Sequence, residues 1–165
     1  MKILNTIDGW LNKAEGALLI VFLIVMVLLA FAQVVLRNAF SAGFLWADIL
    51  LRHLVLWIGF LGGALGISNK RHINIDAVTH FLPARTNSIV SIFTNLFAAV
   101  VCVWLSRAAI VFIKAEISSG SFVFGEIPSW YAELIIPIGF SLFVFHFVAR
   151  AARSFSEIQG KEETV

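Results

Sequence analysis

Four stretches of the chain carry no Asp, Glu, Lys or Arg: Gly16–Leu36, His53–Asn69, Thr86–Ser106 and Leu134–Ala149, of 21, 17, 21 and 16 residues. Each approaches the roughly 20 residues with which a helix crosses a hydrocarbon core about 30 Å thick. Of the 165 residues 60% are hydrophobic and 13% charged, about half the roughly 25% charge of a soluble domain. That balance excludes a disordered chain and argues against a water-soluble globule. Short connections between the four stretches leave no room for a soluble catalytic domain. The sequence therefore predicts an all-α integral membrane protein with four transmembrane helices in one multi-pass domain.

The expected spans are about 16–36, 45–67, 86–113 and 128–149, within a domain of residues 16–150 and followed by a polar, frayed tail, 151–165. The second span reaches full length only if it extends back to about Leu45, which brings Asp48, Arg52 and His53 into the helix. Pro128 suits a first helical turn, Pro137 predicts a kink, and Trp130 and Tyr131 fall where belt aromatics sit. Ahead of the first span, Ile3, Leu4, Ile7, Trp10, Leu11 and Ala14 recur at helical spacing, with Lys2, Asn5, Asp8, Asn12 and Lys13 mostly opposite. Residues 1–15 thus read as an amphipathic helix lying at the interface, in contact with membrane lipid. A cleaved signal peptide ending near Ala30-Phe31-Ala32 is the competing reading. Asp8 and Glu15 in its n-region, and an apolar run that continues to Leu36, speak against it.

Lysine and arginine set the expected orientation. Eight lie on the side of the termini and the middle loop: Lys2, Lys13, Lys70, Arg71, Arg85, Arg150, Arg153 and Lys161. Arg37, Arg52, Arg107 and Lys114 lie on the other. The positive-inside rule then places both termini and the loop Ser68–Arg85 in the cytoplasm. Dispersed in this way, the basic residues form no nucleic-acid motif, so no nucleic-acid partner is expected. Cys102 is the single cysteine, which leaves no internal disulfide and no cysteine metal cluster.

Asp48 and Arg52, at i and i+4, share one helix face and can pair. An ionisable residue inside a span is costly, so this pair reads as a structural brace, a polar anchor for a partner protein, or an ion-coupling site. On the same helix Gly59 with Gly63 and Gly62 with Gly66 form two G-x-x-x-G spacings, which let another backbone come close, in this chain or in a partner. Of four histidines only His53 and His146 fall within spans. With His53 about 12 Å below one end and His146 about 5 Å above the other, their depths differ by roughly 13 Å, too far to share one iron. No P-loop, G-x-S-x-G or paired intramembrane carboxylate is present, and Ser118-Ser119-Gly120-Ser121 reads as a turn, so no catalytic residue, cofactor or metal is assigned.

The runs Leu45-Trp46-Ala47-Asp48, Arg52-His53 and Trp57-Ile58-Gly59-Phe60-Leu61-Gly62-Gly63-Ala64, followed by Lys70-Arg71-His72-Ile73-Asn74-Ile75-Asp76, resemble the small permease subunit (Q, or DctQ type) of tripartite ATP-independent periplasmic (TRAP) transporters. Ile127-Pro128-Ser129-Trp130 and Ile136-Pro137-Ile138-Gly139 resemble the family's fourth span, and the likeness extends from about Arg37 to Arg150. Asp48 stands where the family more often has Glu, which keeps the charge and shortens its reach. Asp48, Arg52, Trp57, Gly59, Gly62, Gly63 and Gly66 are the candidates for structure or subunit contact, and His72 and Asp76 belong to the loop motif that the resemblance carries. It implies a bacterial inner-membrane subunit that scaffolds a separate large permease chain, where sodium coupling and substrate binding reside. A periplasmic binding protein would deliver an organic anion, a carboxylate or an acidic sugar such as sialic acid. Two other classes stay open at this point: a small homo-oligomeric transporter working around Asp48, and a haem-bearing anchor of a respiratory complex.

Overall fold

A computed structural model of the chain describes residues 2–69, 84–124 and 127–162. The elements in chain order are α1 (Lys2–Phe40), α2 (Leu45–Asn69), α3 (Ala84–Ser119), a two-stranded antiparallel ribbon of β1 (Phe122–Phe124) and β2 (Ile127–Pro128), a short α4 (Ser129–Glu133) and α5 (Ile135–Glu162). Four helical segments are long and apolar enough to cross a membrane: Thr6–Phe40, Leu45–Ser68, Val90–Ser119 and Ser129–Phe155, the last joining α4 to α5.

Two expectations about the ends need correction. Residues 1–15 do not form a helix of their own, because α1 runs unbroken for 39 residues. No proline interrupts it, and at Gly9 and Gly16 nothing lies near enough to force a bend. At 1.5 Å per residue α1 is about 58 Å long, far more than the roughly 30 Å of a hydrocarbon core. Its apolar face stays on the outside, with Trp10 74% exposed, and the difference from the sequence reading lies in the acids: Asp8 and Glu15, 5% and 4% exposed, are covered by the protein. At the other end, most of the tail expected to fray continues as the last turns of α5, to Glu162.

Turns are made where the sequence supplies the residues for them. Ser41, at φ 48°, reverses the chain after α1, with the Ala42 N–H donating to the Leu36 carbonyl. Gly120, at φ 64°, ends α3 in the left-handed conformation that a residue without Cβ adopts at little cost. Pro137 acts upstream of itself. Lacking an N–H and crowding the preceding carbonyls, it leaves a one-residue turn at Leu134 between α4 and α5.

The spans pack as a row: α1 lies against α2, α2 against α5, and α5 against α3. Along the α2–α5 seam aromatic rings meet small residues. Phe60 contacts Phe140 and Phe143, at ring-centroid distances of 5.1 and 5.8 Å. A Cβ added at Gly139 would overlap the Phe60 side chain, reaching within 2.9 Å of its Cβ, and one at Gly63 would come 2.8 Å from Phe143 Cζ. These are the approaches that require glycine. On α3, Asn95, Ala99, Cys102, Ala109 and Ile113 form the buried stripe. Two hydroxyl pairs tie α3 to α5: Ser91 with Ser154 at 3.3 Å and Ser106 with Ser141 at 3.2 Å.

Candidate functional site

The greatest concentration of buried charge lies at the end of the row that carries the N-terminus of α1 and the C-terminal part of α5. Asp8 and Glu15 are seven residues apart, two helical turns, and so share one face of α1; His146 and Arg153 do the same on α5. The two helices run antiparallel here and the pairs interlock. Asp8 Oδ1 lies 3.1 Å from His146 Nδ1, and Glu15 Oε1 and Oε2 lie 3.1 and 3.3 Å from His146 Nε2. Arg153 Nη2 donates to Asp8 Oδ2. His146 is 2% exposed. An imidazole can donate from both nitrogens only when doubly protonated, and in that state the two carboxylates, the imidazolium and the guanidinium sum to zero charge. Burial of Asp8, Glu15 and His146, with Arg153 half-buried beside them, is tolerable because each has an opposite partner. One turn of α1 from either acid, Asn12 Nδ2 donates to Ser68 Oγ of α2 at 2.6 Å, which ties a third helix to the same level.

The sequence analysis misses this cluster. It assigns Asp8 to a solvated face and weighs His146 only as an iron ligand, yet both nitrogens of that ring face carboxylates. The available signal is the matched seven-residue spacing of opposite charges on the first and last helices, read together with a topology that puts both at one end.

At the opposite end Gln33 of α1 clamps the α1–α2 turn. Its Nε2 donates to the Phe44 carbonyl at 2.7 Å, and its Oε1 accepts from the Phe44 N–H at 3.2 Å. Asp48 joins this clamp, accepting from Gln33 Nε2 at 3.4 Å. Asp48 and Arg52 do not pair among the described residues. Asp48 sits in the first turn of α2, where the exposed N–H groups favour an acid, and it turns to the amide of α1, while Arg52 is exposed one turn on. Trp57 reaches the proline break: its Nε1 donates at 2.8 Å to the Ala132 carbonyl. That bond supplies a donor where the helix is interrupted. His53 Nδ1 lies 2.8 Å from the Ile49 carbonyl of its own helix.

The predicted glycine face is divided. A Cβ added at Gly63 would crowd Phe143, one added at Gly62 would make an ordinary contact with Leu19 Cδ1 at 3.5 Å, and one at Gly59 or Gly66 would meet nothing within 4 Å. Gly139 makes the tightest approach and lies on α5, outside the two G-x-x-x-G spacings. Asn95 turns back along α3 to the carbonyl and hydroxyl of Ser91, and Ser91 makes the link to α5. His72 and Asp76 lie outside the described residues.

Residues 26–157 match the family model described as tripartite ATP-independent periplasmic transporters, DctQ component. The chain belongs to this family. It is similar to a TRAP transporter small permease protein of Haemophilus influenzae, 28% identical over 99 residues that make up 60% of this chain and 62% of that one. The sialic acid TRAP transporter permease protein SiaT of another Haemophilus influenzae strain is 27% identical over 105 residues, 64% of this chain and 16% of that protein. The C4-dicarboxylate TRAP transporter small permease protein DctQ of Pseudomonas aeruginosa is 28% identical over 110 residues, 62% of this chain and 50% of that one. The chain thus spans less than two thirds of the length of each of these relatives. Family membership and the four apolar helices make it a TRAP small permease subunit, a transporter component and a multi-pass protein of the bacterial inner membrane. The matched region of this small permease contains His146 and Arg153 but begins after Asp8 and Glu15, so likeness to the family draws no attention to the acids.

Proposed function

We propose that this small permease is the membrane scaffold of a TRAP transporter, holding a separate large permease chain during sodium-driven uptake of an organic anion delivered by a periplasmic binding protein. The observation that carries the reading is the row of helices. Packed α1–α2–α5–α3, the spans turn many of their polar side chains to partners within the chain. Gln33, Asn95, Ser91, Ser106 and His146 all bond within the chain. A midplane substrate site needs unsatisfied polar groups facing a cavity. This arrangement favours a brace over a pathway.

The choice of an anion rests on relatives named for sialic acid and for C4-dicarboxylates, both acids. Both termini are placed in the cytoplasm on the lysine and arginine count, and reporter fusions at Val165 and at Ser119 read that directly. The assembly itself is tested by purifying a tagged chain in mild detergent from its native host. A large multi-span permease should co-purify, and a chain recovered only with copies of itself would contradict the scaffold.

A further inference from the structure

We propose that Asp8, Glu15, His146 and Arg153 form a proton-binding latch, in which a proton on His146 fastens the inner part of α1 to α5 and loss of that proton releases it. The ligand of this site is a single proton, and the argument is geometric. Both ring nitrogens of His146 face carboxylate oxygens at 3.1 Å. With hydrogens on both, each contact is a charge-assisted hydrogen bond. With one removed, a ring lone pair faces a carboxylate, and the positive charge held between the two buried acids is gone. The same side chains thus attract in one protonation state and repel in the other.

The groups facing His146 are few. Asp8 and Glu15 come from α1 and Arg153 from two turns along α5, with Arg150 on the intervening turn. From His53 to Asn69, α2 has no charged residue, and at this level it contributes the Ser68 hydroxyl, which is taken by Asn12. Against α5 at this end α3 places the Ser91 hydroxyl on Ser154.

Release would be local, because α1 is held elsewhere by α2: Gln33 on the α1–α2 turn, Phe22 edge-on to Trp57 at 5.5 Å, and Asn12 on Ser68. By contrast the α1 backbone approaches α5 at few points, so the four side chains dominate that junction. Titration would therefore swing the first turns of α1 and leave the α2–α5–α3 packing in place. The proton leaves to water at the end that carries both termini. This inference does not depend on the scaffold reading.

The test uses the purified full-length chain, labelled with nitrogen-15 histidine, between about pH 5.5 and about pH 9.5, a range that brackets the ordinary imidazole value of about 6.5. His146→Gln assigns the resonance. A doubly protonated signal at the low end, lost at the high end as the backbone amides of residues 6–15 lose exchange protection, is the expected result. Thermal melts give a second readout. The wild-type midpoint should fall by roughly 5 °C across the range, the scale of one lost charge-assisted hydrogen bond in a chain of this size, and His146→Gln should start lower and stay flat. A His146 that is neutral at both ends overturns the latch, as does one that titrates with no change in α1 protection. The first measurement needs only wild-type protein once the resonance is assigned, and His53, His72 and His80 can be substituted instead if His146→Gln does not fold.

Discussion

The α2–α5 seam and the α1–α5 corner join the same helix, α5, to its neighbours by opposite physics. In the seam, rings fill the space that Gly63 and Gly139 leave, and its attraction is dispersion between close-fitting surfaces. At the corner, the backbones stay apart and four ionisable side chains cross the gap. A contact of the first kind fails when volume is added, and one of the second kind fails when charge is unbalanced. The seam suits a permanent core, whereas the corner can respond to its surroundings.

The largest effect should come from unbalancing the corner. His146→Ala leaves two buried carboxylates without their shared cation and should cost about 3–5 kcal/mol, or abolish folding, by thermal melt in detergent. Glu15→Gln with His146→Gln, which keeps the shapes, removes one opposite pair of charges and leaves Asp8 with Arg153, should cost less than His146→Ala alone. A double variant less stable than the single one would show that the corner is held by shape, like the seam.

Adding volume is the matching experiment on the seam. Gly139→Leu should destabilise the chain by about 1–3 kcal/mol, because Phe60 occupies the space a side chain needs. Gly59→Leu, on open space, should stay within about 0.5 kcal/mol in the isolated chain. If Gly59→Leu leaves the chain intact and weakens recovery of the large permease, the outward glycine meets a partner helix. Equal damage from both substitutions would erase the distinction between the two faces.

Smaller effects sharpen the account of the proline break and of the opposite end. Trp57→Phe keeps the ring and removes the donor to the Ala132 carbonyl, for an expected loss of about 1 kcal/mol. In a double-mutant cycle Gln33→Ala and Asp48→Ala should couple by about 0.5 kcal/mol, whereas Asp48→Ala and Arg52→Ala should add within about 0.3–0.5 kcal/mol. Coupling of the second pair instead would restore the brace that their spacing suggests.

The four spans were legible because apolar length is a local property: each uncharged stretch announces a helix whatever it packs against. Pro137 as a break and the turn at Gly120 were legible for the same reason. The interior of the row was less so. A G-x-x-x-G spacing states that a backbone can come close, not which glycine has a neighbour, and the closest approach falls at Gly139, where a single glycine beside a proline carries no pattern. Least legible was the corner. Amphipathic periodicity in residues 1–15 identifies a helix with two faces, but a membrane chain can turn its polar face inward when a complementary one exists 130 to 145 residues away, and that pairing is a fact of tertiary structure. Asp48 and Arg52 illustrate the converse. Their spacing permits a bond, and the competing acceptor geometry around Gln33, fifteen residues back, takes the acid instead.

The central claim, a brace and not a pathway, is tested most directly by reconstitution in liposomes under an inward sodium gradient, with each component omitted in turn. Uptake of an acidic substrate should require this chain, the large permease and the binding protein together, and the 165-residue chain alone should move none. Substrate uptake by this chain on its own would contradict the scaffold and place a pathway among these four helices.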